Sequence, residues 1–460
     1  MDNRVIIAEM LERALSAQKV IETYDQERID ELCMIIGKTV YDNAEVLARM
    51  AIDETGMGVY EDKVKKNMGK SRIIWNDIKG GKSRGIIGKD EEEGLVFVAK
   101  PIGVIGCITP VTNPIVTPMC NAMFAVKGAN SVIICPHPKA KKCSFETVKM
   151  IRENLAAAGA PVDLVQCIEE PTIELSNLTM QMCDECICTG GAGMVKAAYS
   201  SGRPALGVGP GNVQCLIDED VDLEAVIPML MEGRCFDNGI ICTGEQAAIF
   251  PASKLEEAVK VYEANGAYYI DETDAEGADE AAAIRNVMFP GGVMDASLAG
   301  KSAAYVAGKA GIELPEGIRM ILIRPKNYGP ADDLSKEKMA PVQTLYTYDT
   351  WDEAISIADA NFSTGGAGHT VAVHSNTTEN IEAAALALPA SRFTINQVSS
   401  TNSGGSFFNG LAPTTTLACG SWGCNSLSEN VSWRHLFNVS RIAYKKTAAV
   451  QPSDDDIWSL

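Results

Sequence analysis

Apolar residues near the start of the chain recur at the spacing of one helix face: Ile6, Met10, Leu11 and Ala14, then Leu32, Ile35, Ile36 and Val40. The pattern predicts helical structure through 6–50 and a basic helical stretch over 60–80. Between 84 and 100 the periodicity changes. Gly85-Ile86-Ile87-Gly88, an acidic turn, and Leu95-Val96-Phe97-Val98 predict a hairpin. Short apolar runs then alternate with helical patterns: Val104–Ile108, 114–127, Ser131–Cys135, 143–158, 162–168 and 185–188. Such alternation predicts a parallel, doubly wound sheet with ligands at the carboxyl ends of its strands. A second alternation starts at Val213–Ile217 and includes 245–250, a helix at 252–265, Met320–Arg324, a helix at 351–360, 369–374 and 393–396. The glycine-rich stretch 202–212 is the expected join. Residues 439–460 read as a tail that packs elsewhere on the molecule or on another subunit.

A chain of 460 residues accommodates two or three domains of roughly 100–200 residues each. Its net charge of −20 disfavours a nucleic-acid partner, which needs a basic surface. No run approaches the ~18 apolar residues of a membrane span. The first residues lack the basic and apolar segments of a secretion signal. Fourteen scattered cysteines read as reduced thiols, so a cytoplasmic location is expected.

Several positions carry potential chemistry. Cys242 follows Asp237-Asn238-Gly239-Ile240-Ile241. It is either a buried structural thiol or a nucleophile. Its Thr243-Gly244-Glu245-Gln246 continuation opens a helix or a strand, and a helix start there would favour the thiolate. Asn113 precedes Pro114, and reads as a helix cap or as an oxyanion donor. Cys188-Thr189-Gly190-Gly191-Ala192-Gly193 ends a strand before a helical pattern, either a tight turn or a place for a pyrophosphate. Cys183, Cys186 and Cys188 lack a fourth ligand at matched spacing, so no metal is expected.

Asp237-Asn238-Gly239-Ile240-Ile241-Cys242, Thr109-Pro110-Val111-Thr112-Asn113-Pro114, and Ser421-Trp422-Gly423-Cys424-Asn425-Ser426 with Ser428-Glu429-Asn430 resemble motifs of the coenzyme A-acylating branch of the aldehyde dehydrogenase superfamily. Their order and spacing match over nearly the whole chain. The resemblance implies an α/β aldehyde dehydrogenase-like fold. A Rossmann-like dinucleotide domain would comprise 1–83 and 100–206 with part of 398–433. A catalytic domain would span 207–397, with an oligomerisation hairpin and tail at 84–99 and 434–460.

The resemblance further implies that Cys242 carries a thioester, Asn113 helps hold the oxyanion, and His369 assists the entering coenzyme A thiol. It assigns NADP or NAD to Thr109, Pro110, Pro136, His137, Lys139, Gly190, Gly191, Gly193, Val208 and Gly209. Glu337, in a Glu-x-x-x-Pro-Val pattern, would meet the nicotinamide ribose. Lys139, Lys141 and Lys142, with no acid until Glu146, would tolerate a 2′-phosphate.

One departure separates the chain from hydrolytic relatives. Their Glu-Leu-Gly-Gly segment supplies a base for water; here it reads Ala205-Leu206-Gly207-Val208, which favours acyl transfer to coenzyme A. The segments 60–64 and 118–123 are most similar to branch members acting on succinate semialdehyde and succinyl-CoA. Lys70, Thr243 and Arg392 are the candidates for a distal carboxylate. Sulfoacetaldehyde, acetaldehyde and propionaldehyde are alternative substrates, and a non-catalytic filament or assembly role is an alternative of another class. A homodimer or a dimer of dimers is expected by resemblance alone.

Overall fold

The computed structural model describes residues 2–460. The amino-terminal region is three helices, Asn3–Ile21, Gln26–Asp42 and Ala44–Thr55. Asp2 caps the first by accepting from the Arg4 amide and Asp25 caps the second by accepting from the Arg28 amide, while the third starts after Asn43 without a side-chain cap. A fourth helix, Tyr60–Ile78, leads into an antiparallel hairpin, Gly85–Asp90 and Leu95–Lys100.

Two parallel sheets form the body. In the first, the strand order is Val165–Cys167, Ser131–Cys135, Val104–Ile108, Glu185–Thr189, Ala205–Val208. Helices cover it, and its central strands are buried along their whole length, which explains their uninterrupted apolar runs. The chain winds outward from Val104–Ile108 in one direction, then returns to its other side at Glu185–Thr189. This reversal opens a crevice beyond the carboxyl ends of those two strands.

The second sheet has seven parallel strands, ordered Ala267–Asp271, Met320–Arg324, Val342–Tyr348, Glu245–Pro251, Val213–Ile217, Val371–His374, Phe393–Ile395. Strand Ala205–Val208 still belongs to the first sheet, so the chain crosses between sheets within 209–212. The tail does not run free from its start. Asn438–Ala443 pairs antiparallel with Leu95–Lys100, giving a three-stranded sheet, and the residues after it are exposed.

Gly211, Cys242, Glu337, His369 and Arg392 each lie shortly before a strand of the seven-stranded sheet. These residues sit at the amino edge of the second sheet, whereas the crevice of the first sheet lies at the carboxyl ends of its strands.

Candidate active site

The loop carrying Cys242 is shaped by backbone that few residues adopt. Helix Leu223–Cys235 ends and three successive residues turn left-handed: Asp237 at φ 52°, Asn238 at φ 53° and Gly239 at φ 71°. Asn and Asp tolerate this region better than other side chains with a Cβ. At Gly239 a Cβ would also lie 2.6 Å from the Ala340 carbonyl oxygen. The Arg234 guanidinium is wholly buried and donates to the Gly239 and Lys338 carbonyls, the latter at 2.8 Å, which ties the loop to the segment holding Glu337. Cys242 is followed by strand Glu245–Pro251, not by a helix, so no helix amino terminus acts on its sulfur. Gly211 packs against it: a Cβ there would sit 2.0 Å from the Cys242 carbonyl oxygen.

Asp237 fixes the loop to helix Tyr60–Ile78. Its carboxylate accepts from the Val59 amide at 2.9 Å, from Lys63 Nζ at 3.0 Å and from Lys66 Nζ at 2.6 Å. Burial would raise its pKa, but Lys66 and Lys63 hold it below the usual carboxylate value. Lys66 Nζ also donates to Asn113 Oδ1 at 2.7 Å. The Asn113 side chain is therefore not a helix cap; the helix that follows, Val116–Lys127, has no side-chain cap.

Asn113, Cys242, Thr243 and Lys70 line one cavity of about 390 Å³, whose far wall is built by Ser400, Thr401, Asn402 and the 404–408 loop. Thr243 is buried in that wall with its hydroxyl donating to the Ser400 carbonyl at 3.0 Å. Lys70 Nζ donates to the Gly404 carbonyl at 2.9 Å and, among the described residues, pairs with no carboxylate. Burial in the cavity wall lowers its pKa to about 8, opposed by the thiols of Cys120 and Cys242. The other lysines lining the cavity are engaged: Lys66 with Asp237, and Lys65, exposed, with Asp62 at 3.6 Å.

Two sequence candidates lie elsewhere. Arg392 is buried, donates to the Ala418 carbonyl and does not line the cavity. Its charge instead acts on the Cys242 and Cys419 thiols, while burial lowers its own pKa to about 10. It stands behind the nucleophile and is not placed to meet a substrate carboxylate. His369 is also fully buried and outside the cavity lining. Its Nδ1 faces Thr370 Oγ1 at 2.9 Å, and burial with the nearby Arg392 charge holds its pKa well below the ordinary value. Its Nε2 has no hydrogen-bond partner among the described residues, and the ring does not line the cavity with Cys242.

Burial pushes the Cys242 thiol up to about 12; Glu337 and Cys419 push the same way, and Arg392 opposes them. Glu337 is partly buried and itself raised to about 7 by burial, with the Gly211 amide and Arg234 pulling it back. The sequence reading of Ala205 as the place of a missing base is corrected: it opens strand Ala205–Val208 and packs with Val104 and Cys183 at the amino end of the first sheet, outside the cavity lined by Cys242.

The crevice of the first sheet fits a dinucleotide. Thr109 and Pro110 follow one strand at the reversal, Gly190 follows Thr189 at the end of the other, and Gly209 follows Val208 at the end of the edge strand. Gly191, Gly193 and Gly209 all face open space where a Cβ would stand. Gly191 opens helix Ala192–Tyr199 with no side-chain cap, which leaves its first amides available to an anion. Pro136 is buried, His137 Nδ1 accepts from the Lys139 amide at 3.1 Å, and Lys139 is exposed. An acid from another helix also reaches this loop. Glu54, from helix Ala44–Thr55, accepts from the Lys142 and Cys143 amides at 2.8 and 2.7 Å. That acid is adjacent in space and distant in sequence. Cys183, Cys186 and Cys188 are packed in apolar core, where burial raises their thiols.

Lys66 and Asp237 were not singled out from the sequence. The signals were Lys63, Lys66 and Lys70 at i, i+3 and i+7 on one helix, and an Asp in a loop that turns left-handed.

A cysteine thus stands between the crevice of the first parallel sheet and the amino edge of the second. Residues 3–280 match the Aldehyde dehydrogenase family. The chain is 49% identical over 458 residues to succinate-semialdehyde dehydrogenase (acetylating) of Clostridium kluyveri, with 100% of each covered. It is 38% identical over 455 residues to a sulfoacetaldehyde dehydrogenase of an Acholeplasma species, covering 98% of this chain and 93% of the relative. Among solved structures it resembles an acetylating aldehyde dehydrogenase of Geobacillus thermoglucosidasius, with TM-score 0.93, 34% identity and 98% of both chains covered. It also resembles a Rhodopseudomonas palustris propionaldehyde dehydrogenase with bound CoA and an acylated cysteine, with TM-score 0.84, 28% identity and 95% and 96% coverage. The chain belongs to the aldehyde dehydrogenase family and is of its CoA-acylating type. Among the described residues, no helix is long and apolar enough to cross a membrane.

Proposed function

We propose that the chain interconverts succinate semialdehyde and succinyl-CoA through a thioester on Cys242. The observation that carries the substrate is Lys70, a cation in the cavity wall that meets a carbonyl and no carboxylate. A distal carboxylate supplies the missing partner and forms a charge-assisted hydrogen bond there. Acetaldehyde or propionaldehyde would leave that ammonium unpaired.

In the reductive direction, Cys242 Sγ attacks the acyl-CoA carbonyl carbon. The Asn113 amide and the Cys242 backbone N–H receive the developing oxyanion. The C–S bond to coenzyme A breaks and its thiol leaves, with the acyl group held on Cys242. A bound nicotinamide coenzyme supplies the hydride in this direction and accepts it in the other. Collapse of the reduced Cys242 adduct frees the aldehyde and restores the thiol. Coenzyme A is the acceptor that resolves the thioester during oxidation, in keeping with the CoA-acylating type of the chain.

The coenzyme is NADP or NAD, held by the first-sheet crevice with Glu337 toward the nicotinamide ribose. Lys139 and Lys142 favour a 2′-phosphate and Glu54 opposes it; binding of both coenzymes to wild type and Glu54→Gln decides the balance. The subunits pair as a dimer or a dimer of dimers through the three-stranded sheet and tail, where Ile442 and Trp458 are exposed. The function is tested by NAD(P)H oxidation with succinyl-CoA. Wild type is expected to turn over and Cys242→Ala to be inactive; turnover by Cys242→Ala would refute the thioester.

A further inference from the structure

Three lysines of helix Tyr60–Ile78 share one face, and only one of them touches both halves of the reacting centre. We infer that Lys66 is the positioning residue of the oxyanion site: its ammonium orients the Asn113 amide toward the reacting carbonyl and, through Asp237, ties that amide to the Cys242 loop. The inference rests on Asn113 being the oxyanion donor, as proposed above.

The geometry makes the orientation unambiguous. An ammonium donates and never accepts, so the Asn113 atom 2.7 Å from Lys66 Nζ is its oxygen. The NH2 end is then turned away from the lysine, and among the described residues it donates to no protein group. Asn113 itself lines the cavity with Cys242. Its free donors are thus available to a carbonyl oxygen bound at the thiol. A cation on the amide oxygen also polarises the amide and strengthens those donors.

Lys66 is not a second site for the substrate carboxylate. Its three N–H groups have three acceptors: Asp237 Oδ2 at 2.6 Å, Asn113 Oδ1 at 2.7 Å and the Thr112 carbonyl at 3.5 Å. Its side chain is 9% exposed, against 0% for Asp237. Asp237 lies within the left-handed turn five residues before the nucleophile, so the chain Asn113–Lys66–Asp237 spans from the oxyanion donor to the loop that carries the sulfur. Lys63 binds the same carboxylate oxygen at 3.0 Å and makes no bond to Asn113. It is a matched control for the purely structural part of the ion pair.

The experiment compares Lys66→Met, Lys66→Arg, Lys63→Met and Asn113→Ala, singly and with Lys66→Met combined with Asn113→Ala, in steady-state reduction of succinyl-CoA. Asn113→Ala is expected to lower kcat by about 10²–10³-fold. Lys66→Met is expected to lower kcat roughly 10–100-fold with KM little changed, because a misplaced donor acts on the transition state. Lys66→Arg should recover most of that loss. In the double variant Lys66→Met should add little to Asn113→Ala, since both remove one function. Lys63→Met should lower the thermal midpoint and lower kcat clearly less than Lys66→Met does, since it loosens Asp237 without freeing the Asn113 amide.

Equal kcat losses in Lys63→Met and Lys66→Met, or full multiplication of the Lys66 and Asn113 effects, would overturn the positioning role. Wild-type kcat in Asn113→Ala would instead overturn the oxyanion assignment beneath it. Should Lys66→Met not fold, Lys66→Arg and Lys66→Gln carry the same comparison: recovery by Arg and loss by Gln supports the inference, and equal rates overturn it.

Discussion

Lys70 Nζ lies 2.9 Å from the Gly404 carbonyl oxygen, which joins helix Tyr60–Ile78 to the loop forming the far wall of the cavity. A carbonyl is a weak partner for an ammonium partly withdrawn from water. In the function proposed above, the substrate's carboxylate completes the pair.

This arrangement has a pH signature. The Lys70 pKa is lowered to about 8, so the free enzyme loses this charge as the pH rises through about 8. kcat/KM for succinyl-CoA is expected to fall above that pH relative to kcat/KM for propionyl-CoA. Parallel profiles for the two substrates would contradict the pairing.

Glu337 sets the reactivity of the resting thiol. Its charge is the largest electrostatic influence raising Cys242 after burial, and its own pKa is near 7. Glu337→Gln should speed alkylation of Cys242 by iodoacetamide at pH 8, where the native carboxylate is ionised. At pH 6 that carboxylate is already protonated, so the two proteins should react at similar rates. Rates compared by peptide mass analysis check both conditions.

Asp237 is buried against two ammonium groups, and removing it leaves both unpaired. Asp237→Ala is expected to lose about 3–5 kcal/mol in urea unfolding at neutral pH. The native pKa of Asp237 lies below the ordinary value, so its contribution is present at neutral pH. It disappears as the pH falls through that native pKa. The difference between variant and wild type should therefore shrink in acid.

Gly211 tests the placement of the nucleophile. A methyl at this position would meet the Cys242 carbonyl oxygen at 2.0 Å. Gly211→Ala is expected to displace the loop and cost roughly 10²-fold in kcat. Far-ultraviolet circular dichroism should stay close to wild type, since the change lies between two sheets and not within a strand.

Much of this architecture was legible in the sequence where burial is uniform. The strands Val104–Ile108, Ser131–Cys135 and Met320–Arg324 are apolar except for the terminal Ser131 and Arg324, because both faces of these strands are covered. Strand Val342–Tyr348 escaped because Gln343 and Thr344 interrupt its pattern; both are fully buried beside Glu245 and Gln246. The sites divide in the same way. Cys242 and Asn113 stand in local motifs, whereas Lys66 gains its meaning from Asp237, 171 residues away. His369 has an ordinary motif, and only tertiary packing reveals that its ring is fully buried and lies outside the cavity lining.

Substrate choice at Lys70 is tested most directly by one ratio: kcat/KM for succinyl-CoA over kcat/KM for propionyl-CoA, in wild type and in Lys70→Met. Loss of one charge-assisted hydrogen bond should lower this ratio roughly 10–100-fold, almost entirely through the succinyl value. A ratio unchanged by the substitution would contradict the assignment of the distal carboxylate to Lys70.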